Sequence, residues 1–481
     1  ATIGTLTGFD GEYTINVPGS STVLRFSFIG YVPQEIAVNN QRTINVTLVE
    51  ESQLLDEVVV IGYGVQRKSS VTGSISQIKA EDLQNRTVTS AAGSLQGKTS
   101  GIQVVTTSGA PGSNPAIRIR GYSSNSSTEP LYVVDGIIVT SISGIDPNDI
   151  ESTEILKDAA SAAIYGAQAG NGVVLITTKK GKQGQGTITL DYQRTIQNLA
   201  NVTRVMNAKE YQTYMLETGF IPQTQFDAFY DGTTDTDWVA ESFEQGIMSR
   251  YNLGFNGANT NGSYYLSLSY TDDDGIVKGD KDFYKRLTLM ANADYKIKSW
   301  IKVGTNNQIE KYNSRSVSEG TEYGGFLSSV LTLDPLTPVT LSPANITPTM
   351  QNILDNGNIL LTDENGDYYA VSDFFQAENV NPFIIRDRSI PLREGFNLNG
   401  SVFGDLTPFN GLTITSRFGY RLSSSYSNTY NHSYYANANV YNQYTDVSSR
   451  SNGSIYYQWD NYINYMKNFN GHEVSGMFGH S

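Results

Sequence analysis

The stretch Ile117–Lys180 contains the segments Ile150-Glu-Ser-Thr-Glu-Ile-Leu-Lys-Asp158 and Val173-Val-Leu-Ile-Thr-Thr178. The organisation of the rest of the chain can be inferred from this stretch. The runs at Leu131–Val134 and Val173–Thr178 are short and rich in β-branched residues, which is typical of strands covered on both faces. A helix-forming segment separates the strand-like parts of Ser152–Thr178. The stretch therefore predicts a compact α/β unit, in which strand, helix and strand across Ser152–Thr178 form a right-handed crossover.

Three phrases of this stretch also resemble a known family: Leu131-Tyr-Val-Val-Asp-Gly136, Ile150–Asp158 and Tyr165-Gly-Ala-Gln-Ala-Gly-Asn-Gly-Val173. Together they resemble the plug of the SusC-type TonB-dependent outer-membrane transporters of Bacteroidetes-type bacteria. The resemblance implies a mainly β fold, in which an α/β plug closes a transmembrane antiparallel β-barrel of twenty-two strands. A small β-sandwich extension precedes the plug in many members.

The resemblance and the composition together divide the chain into four parts. We predict a carboxypeptidase-regulatory-like β-domain over residues 1–50, already begun before residue 1, and a linker over residues 51–65. The plug is predicted over residues 66–182 and the first part of the barrel over residues 186–481. The first four residues carry neither a charged nor an apolar leader, so a signal peptide was removed or was never part of this sequence.

Composition excludes several classes of function. The formal net charge is −14 with a pI of about 4.8, which argues against nucleic-acid binding and against polybasic attachment to anionic lipid. No cysteine is available for a thiolate metal site or a disulfide. The three histidines, at 432, 472 and 480, form no His-Glu-x-x-His arrangement, so carboxypeptidase chemistry is rejected and no cofactor is expected.

The run Glu50–Val65 contains a short β-prone segment between acids and glycines. By resemblance, its residues Asp56, Glu57, Val58, Val59, Val60 and Ile61 are the TonB box. An extended segment can add a strand to a partner's sheet through main-chain hydrogen bonds, which suits a mechanical connection. The alternative is a plain linker strand.

The predicted plug carries charges that could meet the barrel. Arg118 and Arg120 alternate with isoleucines, so both guanidinium groups leave one face of a strand. Glu151 and Glu154 supply countercharges. By resemblance these four residues are candidates for a releasable lock between plug and barrel wall, and an internal salt bridge of the plug is the alternative.

From Gly186 onward the sequence alternates with period two in nine segments. In one of them Tyr264, Leu266, Leu268 and Tyr270 share a face, with smaller polar residues opposite. Long and short connections alternate along the series, as they do in outer-membrane barrels. Nine strands cannot close a barrel, so we expect the N-terminal half of a protein of about twice this length.

Two residue groups in the connections could bind ligands. Asp272, Asp274 and Asp280 lie in an acidic segment that could bind calcium, although the spacing lacks the EF-hand order and a solvated hairpin is the simpler interpretation. Tyr426, Tyr430, Tyr434 and Tyr435 are predicted in one long outer loop, where they could stack on sugar rings or pack against a partner.

The functional expectation follows from the resemblance. It implies active import of large nutrients, oligosaccharides first and peptides next, across the bacterial outer membrane. The implied partners are the periplasmic TonB protein with its energising complex, a SusD-like surface lipoprotein, the cargo and the lipid bilayer, with the plug and the extension facing the periplasm. The alternative is an outer-membrane receptor or adhesin that binds without transporting.

Overall fold

The computed structural model describes residues 4–8, 10–19, 22–28, 31, 33–48, 58–61, 64–67, 74–84, 88, 90–122, 128–200, 203–320, 324–374, 380–469 and 472–481. The chain divides into two compact units. The smaller contains Ala1–Val59 and Val65–Thr72, and the larger contains Val60–Gly64 and Gly73–Ser481.

The smaller unit contains an antiparallel pair in which β1 (Val23–Phe26) lies beside β2 (Gln34–Ala37). The ring of Tyr13 packs edge-on against Phe26 at 5.3 Å. Further along the chain, β3 (Val58–Ile61) and β4 (Gly64–Arg67) form a two-stranded sheet.

The region between residues 74 and 182, which we call the plug, contains two sheets and several short helices. Its strands are β5 (Ile75–Lys79), β6 (Ile102–Val105), β7 (Ala116–Ile119), β8 (Leu131–Val134), β9 (Ile137–Val139), β10 (Ile150–Leu156) and β11 (Val173–Thr178). Its helices are α1 (Ala80–Gln84), α2 (Ala91–Ser94) and α3 (Ala159–Ala162), with 3-10 segments at Pro147–Asp149 and Ala163–Ala169. Five strands form one sheet in the order β5-β10-β11-β8-β9, and β6 pairs with β7.

Local sequence explains one turn of the plug, and the structure corrects one prediction. Asp135 and Gly136 join β8 to β9 with φ values of 49° and 87°, which a two-residue Asp-Gly hairpin requires. The predicted right-handed crossover between β10 and β11 is wrong, because these strands pair antiparallel. The short helix between them is followed by a kink at Gly166 (φ 66°), after which the chain turns back, and β11 finds its parallel neighbour in β8.

The remaining strands are β12 (Gly184–Gln197), β13 (Gly246–Ala258), β14 (Gly262–Asp274), β15 (Phe283–Lys298), β16 (Ile301–Arg315), β17 (Thr340–Leu341), β18 (Tyr368–Tyr369), β19 (Ser389–Phe409), β20 (Leu412–Asn431), β21 (Tyr434–Tyr435), β22 (Tyr441–Asn442), β23 (Asp446–Phe469) and β24 (His472–His480). The helices are α4 (Ala208–Thr218), α5 (Gln223–Phe229), α6 (Trp238–Ser242), α7 (Phe326–Thr332), α8 (Pro348–Asp355) and α9 (Pro382–Asp387). All but the four shortest strands form one antiparallel sheet, which we call the wall, in the order β12-β13-β14-β15-β16-β19-β20-β23-β24.

The predicted alternation is confirmed on β14. Tyr264, Leu266, Leu268 and Tyr270 are exposed on one face, whereas Tyr265, Ser267 and Ser269 are buried on the other. The buried face lies against the plug, since Tyr265 and Met290 of the wall belong to the same apolar cluster as the plug's Ile142 and Ile145. The predicted fold class, mainly β with an α/β plug and nine barrel strands, is confirmed.

Short and long connections alternate along the wall as predicted. The short ones join β13 to β14, β15 to β16 and β19 to β20, and the long ones lie at the opposite end of the strands. Several strands run further into the long end than the sequence indicated. No helix among the described residues is long and apolar enough to cross a membrane.

The long connections pack on each other around an apolar core of their own. Trp238 comes from the connection between β12 and β13, whereas Phe326 and Phe383 come from the connection between β16 and β19, and all three are buried in one cluster. Beside it the carboxylate of Asp334, itself fully buried, accepts hydrogen bonds from Ser372 at 2.6 Å and from Thr337 at 2.9 Å. The connections therefore form a folded layer at this end of the wall.

Candidate functional site

Side chains of the wall donate hydrogen bonds to main-chain carbonyl oxygens of the plug. Among the described residues there are six such contacts: Arg250 to Val88 at 2.8 Å, Arg286 to Ser143 at 2.5 Å, Gln308 to Gly144 at 2.8 Å, Asn292 to Lys179 at 2.8 Å, Gln458 to Gly136 at 3.3 Å and Arg421 to Ile138 at 3.1 Å. Each contributes on the order of 1 kcal/mol net, more where the donor is charged. The plug is thus held by many individually weak contacts, which can be broken one after another.

Two fully buried carboxylates lie where the plug meets β14. The Asp146 carboxylate accepts a hydrogen bond from the Ser269 hydroxyl at 2.5 Å, and the Asp149 carboxylate accepts one from the Tyr265 hydroxyl at 2.8 Å. Asp146 also caps the 3-10 segment at Pro147–Asp149 by accepting from the Asn148 amide. Burial, together with the charge of Asp146, raises the pKa of Asp149 from 3.8 to about 6.

This pKa shift makes the stability of the seated plug depend on pH. The folded plug binds a proton at Asp149 more readily than the unfolded plug, so stability falls as pH rises from about 4 to about 6 and stays lower above that. The substitution Asp149→Asn keeps an acceptor for Tyr265 and removes the charge. We expect it to stabilise the seated plug at neutral pH by up to about 3 kcal/mol and to have a diminishing effect toward pH 5.

Hydrogen exchange of the peptide covering β10, compared between variant and parent at each pH, measures this effect without interference from the intrinsic pH dependence of exchange. Glu151→Gln, on a more exposed carboxylate within β10 itself, is the matched control and should leave protection unchanged. Equal protection of the Asp149→Asn variant and the parent at neutral pH would contradict the prediction.

A close main-chain approach fixes the end of the plug against the wall. A Cβ atom added at Gly181 would lie 2.2 Å from the Gly257 carbonyl oxygen and 2.7 Å from both the amide nitrogen and the carbonyl oxygen of Tyr264. These are backbone atoms that cannot rotate away. We expect Gly181→Ala to destabilise the folded protein by about 2–4 kcal/mol, as overpacking against a fixed neighbour does.

Refolding into detergent, with the folded fraction measured by gel mobility across a urea series, checks the Gly181→Ala prediction. Gly109→Ala is the control, because a Cβ at Gly109 meets nothing within 4 Å and the backbone there has no positive φ. Identical urea midpoints for the two variants would show that the chain beside Gly181 can shift freely.

Among the described residues, the contacts of the four predicted lock residues lie within the plug. Arg118 stacks on the ring of Tyr122 at 4.4 Å and lies 3.4 Å from the Thr128 hydroxyl. Arg120 has a positive φ of 57°, and its amide donates to the Gly101 carbonyl. Their role in a lock with the wall stays a prediction.

The two acids of the predicted lock also have partners within this region. The side chain of Glu151 forms an ion pair with Lys182 at 3.4 Å. Glu154 is buried and accepts a hydrogen bond from Gln77 at 3.0 Å, and burial raises its pKa. The plug carboxylates of Asp146 and Asp149 reach the wall instead.

Of the predicted TonB box, Asp56 and Glu57 lie outside the described residues. The other four residues form β3, which pairs with β4 across a two-residue connection. Extended backbone at this place agrees with the strand-addition interpretation and with the linker interpretation alike, so the box stays a prediction.

The structure corrects the placement of two of the four candidate tyrosines. Tyr426 and Tyr430 lie on β20 rather than in a loop, because β20 pairs with both β19 and β23 out to Asn431. Tyr434 and Tyr435 form the short strand β21 in the connection. The Tyr434 ring is buried, and its hydroxyl accepts a hydrogen bond from Arg388 at 3.1 Å.

The acidic segment is likewise partly a strand. Asp272 and Asp274 belong to β14, and Asp272 pairs with Lys285 at 3.3 Å across the sheet. Asp280 lies in the connection with a φ of 53°. Within the described residues, no group of three or more potential ligands is positioned for a metal ion.

Comparison with known proteins identifies the two N-terminal parts. The TonB-dependent Receptor Plug Domain matches residues 67–173, and the CarboxypepD_reg-like domain matches residues 1–60. Among curated proteins, the TonB-dependent receptor SusC of Bacteroides thetaiotaomicron is 37% identical over 353 residues, covering 70% of this chain and 34% of SusC. The TonB-dependent receptor P3 of Formosa agariphila is 31% identical over 486 residues, covering 99% of this chain and 45% of that protein.

A solved structure agrees with the sequence relatives. The RagAB peptide importer in its open-open state superimposes with a TM-score of 0.70 at 28% identity, over 88% of this chain and 48% of that one. The chain thus spans less than half the length of the curated relatives named above. From its plug match, its extension match and these relatives, the chain belongs to the SusC-type TonB-dependent receptors of the bacterial outer membrane.

Proposed function

We propose that the protein imports a large nutrient across the outer membrane, using energy that TonB delivers to the plug. The observation that carries this proposal is the way the wall contacts the plug, through side-chain donors to plug carbonyl oxygens alongside an apolar cluster that wall and plug share. Such contacts seat the plug firmly at rest. A directed pull can nevertheless release them in sequence, so the work is a shift between a plugged and an open state.

TonB is proposed to bind at Asp56–Ile61. Strand addition to this segment would transmit force through main-chain hydrogen bonds, and the segment precedes the plug in the sequence. A SusD-like surface lipoprotein is proposed as the lid over the folded layer of long connections. No cofactor takes part, and no covalent bond of the cargo is broken during import.

Oligosaccharides are the proposed cargo. SusC-type relatives include both SusC and a protein solved as a peptide importer, so peptides are the second candidate. A receptor or adhesin that does not transport is the alternative from a different class. Such a protein would need the folded connections for binding, but it would need no segment on which TonB pulls.

Growth on single nutrients tests the proposal. Cells lacking the gene are compared with cells carrying it, on a panel of oligosaccharides and peptides too large for porins, each supplied as sole carbon or nitrogen source. Gene-dependent growth on one nutrient would support import and name its class. Gene-dependent binding of labelled nutrient without gene-dependent growth on any of them would favour the receptor or adhesin.

A further inference from the structure

A cavity of about 460 Å³ lies between the long end of the wall and the folded connections. That volume is within the usual range of small-ligand sites. Three of its lining residues, Ser389, Asn431 and Asp446, stand directly opposite one another in the register of β19, β20 and β23. Asp446 and the plug-contacting Gln458 are twelve residues apart on one strand and so share its inner face. The cavity therefore opens on the plug side of the wall.

Arg388 places in this cavity a guanidinium group whose hydrogen-bond donors are only partly engaged by the described residues. Its guanidinium donates to the Tyr434 hydroxyl at 3.1 Å and to the Gly324 carbonyl at 3.3 Å, and both partners are neutral. Of the five N–H donors of an arginine, two are thus engaged among the described residues. A half-buried guanidinium with spare donors favours a ligand that carries a carboxylate, which it can bind in bidentate geometry.

The neighbouring arginine provides a contrast. Arg386 also lines the cavity, but it forms two parallel hydrogen bonds to Asp387, at 3.0 and 2.7 Å, and donates to the Lys278 carbonyl and the Tyr369 hydroxyl as well. Asp387 also lies 3.5 Å from Lys281. Arg386 therefore stabilises the folded connections. Because Asp387 is paired with Arg386 and Lys281, it does not neutralise the positive charge of Arg388.

The rest of the lining indicates what kind of carboxylate fits. Hydroxyl and amide side chains predominate, with Ser316, Ser318, Ser389, Asn431 and Asn442 beside the aromatic rings of Tyr434 and Tyr441. Tyr441 is about half exposed and stacks on Tyr435, with ring centroids 6.0 Å apart. Hydroxyls and amides suit the many hydroxyl groups of a sugar, and an exposed ring suits its apolar face, as do the apolar lining residues Val317, Ile385 and Pro391.

We infer that this cavity is a binding subsite for an acidic oligosaccharide, with Arg388 contacting the carboxylate of a uronic acid unit. Asp446, an exposed carboxylate of the lining, accepts from Asn431 at 2.9 Å and is left to accept from sugar hydroxyls. The inference rests on the proposed function, since it names the cargo class. Binding can be measured without TonB, so the inference and the import proposal can fail separately.

The test is calorimetric titration of the purified protein in detergent at low salt, with a galacturonate trisaccharide and with its methyl ester. The ester keeps the rings and removes the charges. We expect the acid to bind at least about tenfold more tightly than the ester, and Arg388→Gln to abolish that difference while leaving the affinity for the ester nearly unchanged. Asp446→Asn should strengthen binding of the acid severalfold by removing a repulsive charge.

Control variants distinguish a direct contact between Arg388 and the ligand from a structural role of Arg388. Arg393→Gln removes the same charge from an exposed position on β19 that does not line the cavity, and it should leave both affinities unchanged. Arg388→Lys should retain part of the preference for the acid, which shows that the site still folds. An equal loss of acid and ester affinity in Arg388→Gln would overturn the carboxylate contact. Tighter binding of a triglutamate peptide with the same dependence on Arg388 would overturn the sugar class.

Discussion

Cells producing the protein without Asp56–Val60 are expected to lose growth on the imported nutrient and to keep full binding of that nutrient at the surface. The deletion removes the strand edge through which TonB is proposed to pull, and it leaves the plug and the wall intact. Because the six wall donors hold the plug at rest, uptake without the pull should fall by more than about tenfold, to the background of cells lacking the gene.

Single substitutions test whether the main-chain hydrogen bonds of the TonB box are responsible for the effect of the deletion. Val59→Pro removes a main-chain donor from the segment and should reproduce the deletion, whereas Val59→Thr keeps the donor and the strand propensity and should import normally. Surface amount and binding of labelled nutrient are measured alongside growth. Normal growth of the deletion strain, with binding retained, would favour the receptor or adhesin.

A disulfide between plug and wall is expected to block import reversibly. A Cβ added at Gly419 of β20 would lie 3.0 Å from Cγ1 and 3.4 Å from Cγ2 of Ile137 in β9. The two Cβ positions are therefore about 4 Å apart, within the range that a disulfide spans. The sequence contains no cysteine that could pair wrongly with either position. Uptake by the Gly419→Cys, Ile137→Cys double variant should fall to background when oxidised and recover when a reducing agent is added.

The controls replace one cysteine of the pair by serine, because a Cβ at Gly419 would lie 2.1 Å from Cδ1 of an intact Ile137. Gly419→Cys with Ile137→Ser and Gly419→Ser with Ile137→Cys, treated with the same oxidant, should import throughout. The gel shift of the crosslinked chain after cleavage between residues 137 and 419 reports how much disulfide has formed. Full uptake with the disulfide formed would mean that β9 stays against the wall during import, and the opening would then have to be sought in another part of the plug.

The wall could be predicted from the sequence because its signal is local. Alternation of residues such as Leu266 and Ser267 reports directly which side chain faces the apolar side of a sheet, and the burial of side chains along β13, β14 and β15 follows it. The ends of the strands were less predictable. Ser423–Asn431 carries few apolar residues, and it is a strand only because neighbouring strands on both sides supply main-chain partners.

The contacts inside the plug and between plug and wall were not predictable, for a physical reason. The antiparallel pairing of β10 with β11 depends on which strand fills the centre of the sheet, and no residue of either strand encodes that alone. Likewise Asp149 meets Tyr265, 116 positions away along the chain. The acidic character of both aspartates was visible in the sequence, but their partners were not.

The donors on the wall have a consequence for how the protein can diverge. Arg250, Gln308 and Arg421 bind peptide oxygens, which every amino acid possesses. A substitution in the plug at Val88 or Ile138 therefore leaves the acceptor in place, provided that the main chain keeps its path. At these contacts no second, compensating substitution in the wall is needed, so plug side chains and wall side chains can change independently over generations.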